Sequence, residues 1–286
     1  MTGVMVGCMT IAPETHMGPV ELSVADLDRT LDYWQREVGL RVLAREGERA
    51  VLGADTELVR FVEEPGADPD VGHTGLYHVA LLVPDRPSLA RWLAHAVRDG
   101  TTLVGLSDHA VSEAIYLRDP DHHGIEIYAD RPREQWEGRI GELMTTMPLD
   151  VDDLLAEADD PAFDGLPDGT VVGHTHLRVA DVDATVAFYR DVLGLDVVAQ
   201  LGSAAAFLSA GGYHHHIGAN TWESRGATPS PPGTARLLQA EIVVPDAAER
   251  DRVAARVADA GQEPEAQNGG VLVRDPSGNA LLLTTA

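Results

Sequence analysis

Basic residues are scarce: Lys and Arg together number 21 against 46 Asp and Glu, giving a formal net charge of −25. Such a charge repels polyanions, so nucleic acid and anionic membrane are not expected as partners, and an acidic, solubilising surface is. Cysteine is nearly absent. The one thiol, Cys8, has no partner for an internal disulfide, which fits a reducing, cytoplasmic compartment. Long apolar runs are missing too, since none reaches the roughly 18 residues that a membrane span needs. The opening stretch "MTGVMVGCMTIAPETHM" lacks a basic start and a long apolar centre, so neither a secretory signal nor a lipid anchor is expected. Residues 1–17 read as a frayed extension in which Met5, Met9 and Met17 each offer a translation start.

What is present is an ordinary soluble composition, 44% hydrophobic and 23% charged, in 286 residues, enough for two domains. The chain is a repeat. "VADLDRTLDYWQREVGLRVL" from residue 24 recurs as "VADVDATVAFYRDVLGLDVV" from residue 179. A weaker pair follows: "LLVPDRPSLARWLAHAVRDG" from 81 matches "IVVPDAAERDRVAARVADAG" from 242, and "RDPDHHGIEI" from 118 matches "RDPSGNALLL" from 274. Four modules therefore succeed one another, near 18–63, 75–130, 172–222 and 236–285.

Each module opens with a short apolar or alternating run such as "VELSV" or "YHVALLV", as strands do. An Asp then precedes a helical pattern, for instance Leu31, Trp34 and Val38, which stops at Gly39 or Gly194. Further strands end in the turn signals "DPD" or "DPSGN". The expected fold is α+β, four βαβββ modules in two tandem domains: 18–145 with modules one and two, and 172–286 with modules three and four. Residues 146–171 lose the repeat and read as a structural, helical connector.

This pattern, with "VADLDRTLDYW" and "DPDHHGIEIY", resembles the vicinal oxygen chelate superfamily of glyoxalases, bleomycin-binding proteins, fosfomycin-inactivating enzymes and extradiol ring-cleaving dioxygenases. The stretch "DHAVSEAIYLRDPDHHGIEIYAD" narrows the resemblance. It supplies His109, Ile115, Tyr116, Asp119, Pro120 and Glu126 in the order of the extradiol signature, with His122 where the turn usually has Gly. Together with "GLYHVALLV", "GHTHLRVAD" and "GGYHHHIGANTW", it is similar to the two-domain bacterial catechol 2,3-dioxygenases.

The resemblance implies that paired modules share a cleft, with metal ligands on the first and last strand of each. The first-strand positions to inspect are Glu21, His78, His176 and Gln239, and the last-strand ones lie near Leu58, Glu126, His215 and Leu282. Modules one and four offer Glu21, Gln239 and Leu282, a poor redox-metal site and a structural cleft. Modules two and three offer His78, His176 and Glu126, the two-histidine, one-carboxylate triad of nonheme Fe(II) oxygenases, which also accepts Mn(II). His78 and His176 are taken to occupy one module position, with His174, on the same face as His176, as the rival ligand.

The implied reaction is extradiol cleavage of catechol or a substituted catechol, with both atoms of O2 entering the ring. By resemblance, His215 is the acid–base histidine, strand alternation turning His214 and His216 away from it. Tyr116 contacts the substrate oxygen, and His109 is a supporting donor near the bound diol. The family often forms homo-oligomers. Two other readings share the superfamily: a glyoxalase-like metal-dependent isomerase or transferase, which wants two carboxylates among its ligands, and a non-catalytic binding protein of the bleomycin-resistance type.

Overall fold

A computed structural model describes residues 10–158 and 162–286, so Cys8, Met5 and Met9 lie outside the described residues. Each module folds as strand, helix, three strands. Module one runs through strands His16–Val24, Arg41–Glu46, Arg49–Gly53 and Glu57–Glu63, and module two through Gly75–Leu82, Leu103–Asp108, Ser112–Arg118 and Gly124–Asp130. Module three has Val171–Arg178, Asp196–Leu201, Ala205–Ser209 and Ile217–Asn220; module four has Leu237–Val244, Glu265–Gln267, Gly270–Arg274 and Ala280–Thr285. Among the described residues no helix is long and apolar enough to cross a membrane.

The helices begin where the sequence places an Asp. Asp26, Asp85, Asp181 and Asp246 each accept a hydrogen bond from the backbone N–H three residues on, at 3.0, 2.8, 2.8 and 2.8 Å. Such caps satisfy an otherwise orphaned donor and contribute about 1 kcal/mol each. In modules one and three the helix widens into a π-helical turn, Trp34–Val38 and Phe188–Leu193. Both end on a glycine, Gly39 and Gly194, at φ 91°, a left-handed geometry that a Cβ would penalise.

Sheet pairing crosses the two halves of the chain. Module one joins module four in an eight-stranded sheet through antiparallel pairing of His16–Val24 with Leu237–Val244. Module two joins module three in a nine-stranded sheet through Gly75–Leu82 and Val171–Arg178, with the short strand Met147–Pro148 added at one edge. Helices cover these sheets around a core that includes Trp34, Trp92, Leu81 and Leu89, all buried. The segment preceding the repeat is partly ordered into it: Ile11 and Met17 are buried, and the Ile11 N–H donates to the Gly194 carbonyl at 2.9 Å. In the connector, Asp150 caps a short helix, Val151–Leu155, that buries Leu154.

The Asp-Pro turns fasten neighbouring modules together. Asp119 is buried and accepts from the N–H groups of Asp121 (3.0 Å) and His123 (2.8 Å) and from the Trp34 indole of module one (3.0 Å). Asp275 repeats the device, accepting from Ser277 and Asn279 N–H groups and, at 3.4 Å, from the Tyr189 hydroxyl of module three. Trp34 and Tyr189 are corresponding residues of the long repeat. Asp119→Ala leaves three donors unpaired in a dry environment and should destabilise the protein by about 3 kcal/mol. A urea-denaturation midpoint within error of the parent's would refute this role.

Candidate metal centre and cavity

One face of the nine-stranded sheet carries the titratable cluster, and the strand register explains its membership. Across the sheet, Tyr116 stands opposite Glu126, Glu126 beside Ala80, and Ala80 opposite His174. The buried alanine separates two long polar side chains, which meet over its methyl group. His78, two residues before Ala80 and on the same face, completes the cluster. Its Nε2 is 2.9 Å from Glu126 Oε2 and 3.3 Å from His174 Nε2, while His174 Nε2 is 3.2 Å from the same carboxylate oxygen.

The structure thus groups His78 and Glu126 with His174, whose ligand atoms all lie within 4.8 Å of one another, and not with His176. The physical reason is register. His78 and His174 each stand seven residues before a helix-capping Asp, Asp85 and Asp181, so they are the corresponding residues of the two modules. His176 corresponds to Ala80 and pairs instead with His78, one row further from Glu126. Counting back from the capping aspartates was the signal available in the sequence.

His176 is nevertheless in the cavity wall. Its ring packs 4.9 Å from that of His78 and 5.2 Å from that of Tyr77, and its buried Nε2 has no hydrogen-bond partner. Gly218, its neighbour on Ile217–Asn220, leaves space for it: a Cβ there would lie 2.8 Å from the imidazole.

The electrostatics suit a cation. Burial alone would raise the Glu126 carboxyl, but His174 and His78 beside it outweigh that and hold it well below the usual carboxylate range. Burial pushes the His174 imidazole down to about 4. An ionised carboxylate and a neutral imidazole are the forms in which these groups bind metals. Three donor atoms converging from buried side chains, one oxygen and two nitrogens, therefore fit a divalent transition metal.

Tyr116 and His109 are joined. The His109 Nδ1–H donates to the Thr145 carbonyl at 2.8 Å, which leaves Nε2 to accept from the Tyr116 hydroxyl at 2.8 Å. Burial, and then the charge of Glu126, keeps that hydroxyl protonated by raising it far above its ordinary range. Both residues line a cavity of about 610 Å³ that also touches His78, Glu126, His176 and His215.

The histidine run differs from its expected strand geometry. His214, His215 and His216 precede the strand Ile217–Asn220, so alternation does not separate them. His214 Nε2 is 2.8 Å from Asp130 Oδ1, and His214 Nδ1 is 2.8 Å from His215 Nδ1. A carboxylate can only accept, so His214 donates from Nε2 and accepts at Nδ1 from His215, which leaves His215 Nε2 with its lone pair. Asp130 ends the strand that carries Glu126, two steps along the same face, and it was not foreseen from the sequence. His216 turns elsewhere, accepting from the Ala210 N–H at 3.1 Å.

The equivalent cleft between modules one and four is filled. Arg49 pairs with Glu21 at 3.0 Å, Arg60 pairs with Glu241, and Gln267 donates to Gln239 at 2.8 Å. Leu282, the counterpart of Glu126, is buried there.

The model for the glyoxalase/bleomycin resistance protein/dioxygenase superfamily matches residues 16–127 and again 171–283. The chain belongs to that superfamily. It is 43% identical over 280 residues to a catechol-2,3-dioxygenase of Bacillus subtilis, covering 96% of this chain and 98% of that protein. Among solved structures, a putative dioxygenase from Bacillus subtilis superposes with a TM-score of 0.63 at 15% identity, covering 97% of this chain and 85% of that one. Glyoxalase I from Zea mays gives 0.59 at 19% identity, covering 95% and 92%. At these identities the two structures speak to the fold, which is the tandem α+β arrangement described above.

Gly218→Ala tests the packing of the superfamily member's cavity wall. The added methyl has to displace the His176 ring, and overpacking of this kind costs about 1–3 kcal/mol. Thermal unfolding unchanged from the parent would contradict the placement of His176.

Proposed function

We propose that this protein is an extradiol dioxygenase that opens catechol or a substituted catechol with O2 at an Fe(II) held by His78, Glu126 and His174. The observation that carries the reading is the convergence of those three donors, two of which, His78 and Glu126, line a cavity that also presents Tyr116, His109 and His215. A full-length relative named catechol-2,3-dioxygenase at 43% identity supports it. The donor set contains one carboxylate, whereas a glyoxalase-like isomerase would want two. Mn(II) satisfies the same donors, and availability would decide between them.

The bound metal would supply a template for both diol oxygens and the redox chemistry that O2 requires. The chain's own residues handle protons and orientation. His215 Nε2 accepts a proton from the catechol as the diol binds and is placed to return one to the ring-opening product. Asp130, acting through His214, fixes the tautomer that leaves that nitrogen free, a positioning role. Tyr116, whose proton is held by His109 Nε2, presents its hydroxyl oxygen as an acceptor toward a catechol O–H from a rigid hairpin. Phe207 and Tyr77 narrow the cavity around the ring and limit the water that reaches it.

Anaerobic reconstitution with Fe(II), followed by catechol and air, should give rapid oxygen uptake and a yellow ring-opened semialdehyde. Glu126→Ala and His174→Ala should lose both product and bound iron, whereas His176→Ala should retain iron by metal analysis. Iron retained in His174→Ala but lost in His176→Ala would overturn the ligand assignment, and no product from several catechols at full iron loading would overturn the function. Asp130→Asn should keep its iron but lower kcat by about 10²-fold, the usual scale of a misdirected general base. An unchanged kcat would remove Asp130 and His214 from the scheme.

A further inference from the structure

The wall of the same cavity carries information about what the diol is attached to. Beyond the metal-binding donors the cavity is lined by Tyr77, Val104, Met144, Leu201, Phe207 and Trp222. Three of these, Val104, Leu201 and Trp222, are large apolar residues left 58%, 60% and 53% exposed at its mouth. Tyr77 and Trp222 meet edge to face at 5.3 Å, and the His176 ring packs 5.7 Å from Trp222, so an aromatic wall runs from His78 to the surface. At about 610 Å³ the cavity is of the size that takes a drug-sized ligand, far more than one benzenediol ring occupies.

Charge is distributed in the opposite sense. The sequence contains no lysine. Among the described residues Arg118 is the one arginine lining the cavity, and it lies 3.8 Å from Glu223 at the surface. The remaining polar wall includes the hydroxyls of Ser107, Ser112, Thr145 and Thr146 and the imidazoles of His109, His176 and His215, and the acidic residue inside is Glu126. A carboxylate on the substrate would lose its hydration and meet as counter-charge, among the described residues, only the half-exposed Arg118, which Glu223 already approaches. The net charge of −25 would also repel it during approach.

We infer that the ligand of this cavity is an uncharged catechol bearing a bulky apolar substituent, which lies along Tyr77, Phe207 and Trp222 toward Val104 and Leu201. The inference rests on the dioxygenase reading for the diol end and on the cavity wall for the substituent. It makes the wall, rather than the metal centre, the determinant of specificity.

The test is anaerobic calorimetry on the Fe(II)-loaded protein with four probes: catechol, 4-tert-butylcatechol, 3-phenylcatechol and 3,4-dihydroxybenzoate, followed by steady-state turnover of each in air. The two apolar catechols should bind at least about tenfold more tightly than catechol and the benzoate, as burial of a substituent of that size implies. Leu201→Arg, a change at an exposed position, should weaken the apolar pair and strengthen the benzoate several-fold. A flat ranking, or tighter binding of the benzoate to the parent protein, overturns the inference even if every probe is cleaved. The expected ranking without any ring-opened product supports the inference about the cavity and counts against the dioxygenase reading instead.

Discussion

The site depends on a single strand pairing. Gly75–Leu82 and Val171–Arg178 run antiparallel across the two halves of the chain, and their register sets Ala80 opposite His174. Because Glu126 flanks Ala80 on the other side, a carboxylate and an imidazole from distant parts of the sequence are brought into contact over one methyl group. A shift of one residue would turn every one of these side chains to the other face of the sheet. The halves are held in that relation by the second cross-half pairing, between modules one and four, while the Asp119–Trp34 and Asp275–Tyr189 contacts fasten the two modules within each half.

The four modules form two comparable clefts, and among the described residues only that of modules two and three groups three side chains that could hold a metal ion. In the cleft of modules two and three, polar side chains are left facing one another, with His176 Nε2 and His174 Nδ1 buried and unpartnered. In that of modules one and four, the polar groups satisfy themselves through ion pairs and an amide pair, and a leucine stands where the carboxylate would be. The same backbone thus carries self-paired polar groups in one place and a cluster of potential metal ligands in the other, and side-chain chemistry alone makes the difference. Behind the cleft of modules two and three, Asp130, His214 and His215 form a connected row, so the strand that supplies Glu126 also orients the His215 ring.

Much of this was legible in the sequence, and the parts that were not have definite causes. Repeats, capping aspartates and Asp-Pro turns are local signals, and the four modules follow from them. His78, Glu126 and Tyr116 sit inside recognisable strands whose face is set by alternation, so the structure finds them on one wall. The choice between His174 and His176 depends on a relation between two strands, which alternation cannot supply because both residues share a face. Only the common distance to the capping aspartates distinguishes them, and it points to the grouping of His174 with His78 and Glu126. The role of His214 was hidden because the triple-histidine run lies in the turn before its strand, where a period of two does not apply. Asp130 carries no motif, and its contact with His214 spans 84 residues of chain.

The central claim is that the cross-half strand pair assembles one metal centre from His78, Glu126 and His174. Diffraction from crystals loaded anaerobically with Fe(II), measured on both sides of the iron absorption edge, tests it most directly. One strong anomalous peak bonded to His78 Nε2, His174 Nε2 and a Glu126 carboxylate oxygen is expected, with none between modules one and four. A peak ligated by His176 in place of His174, or seated in the other cleft, would contradict it.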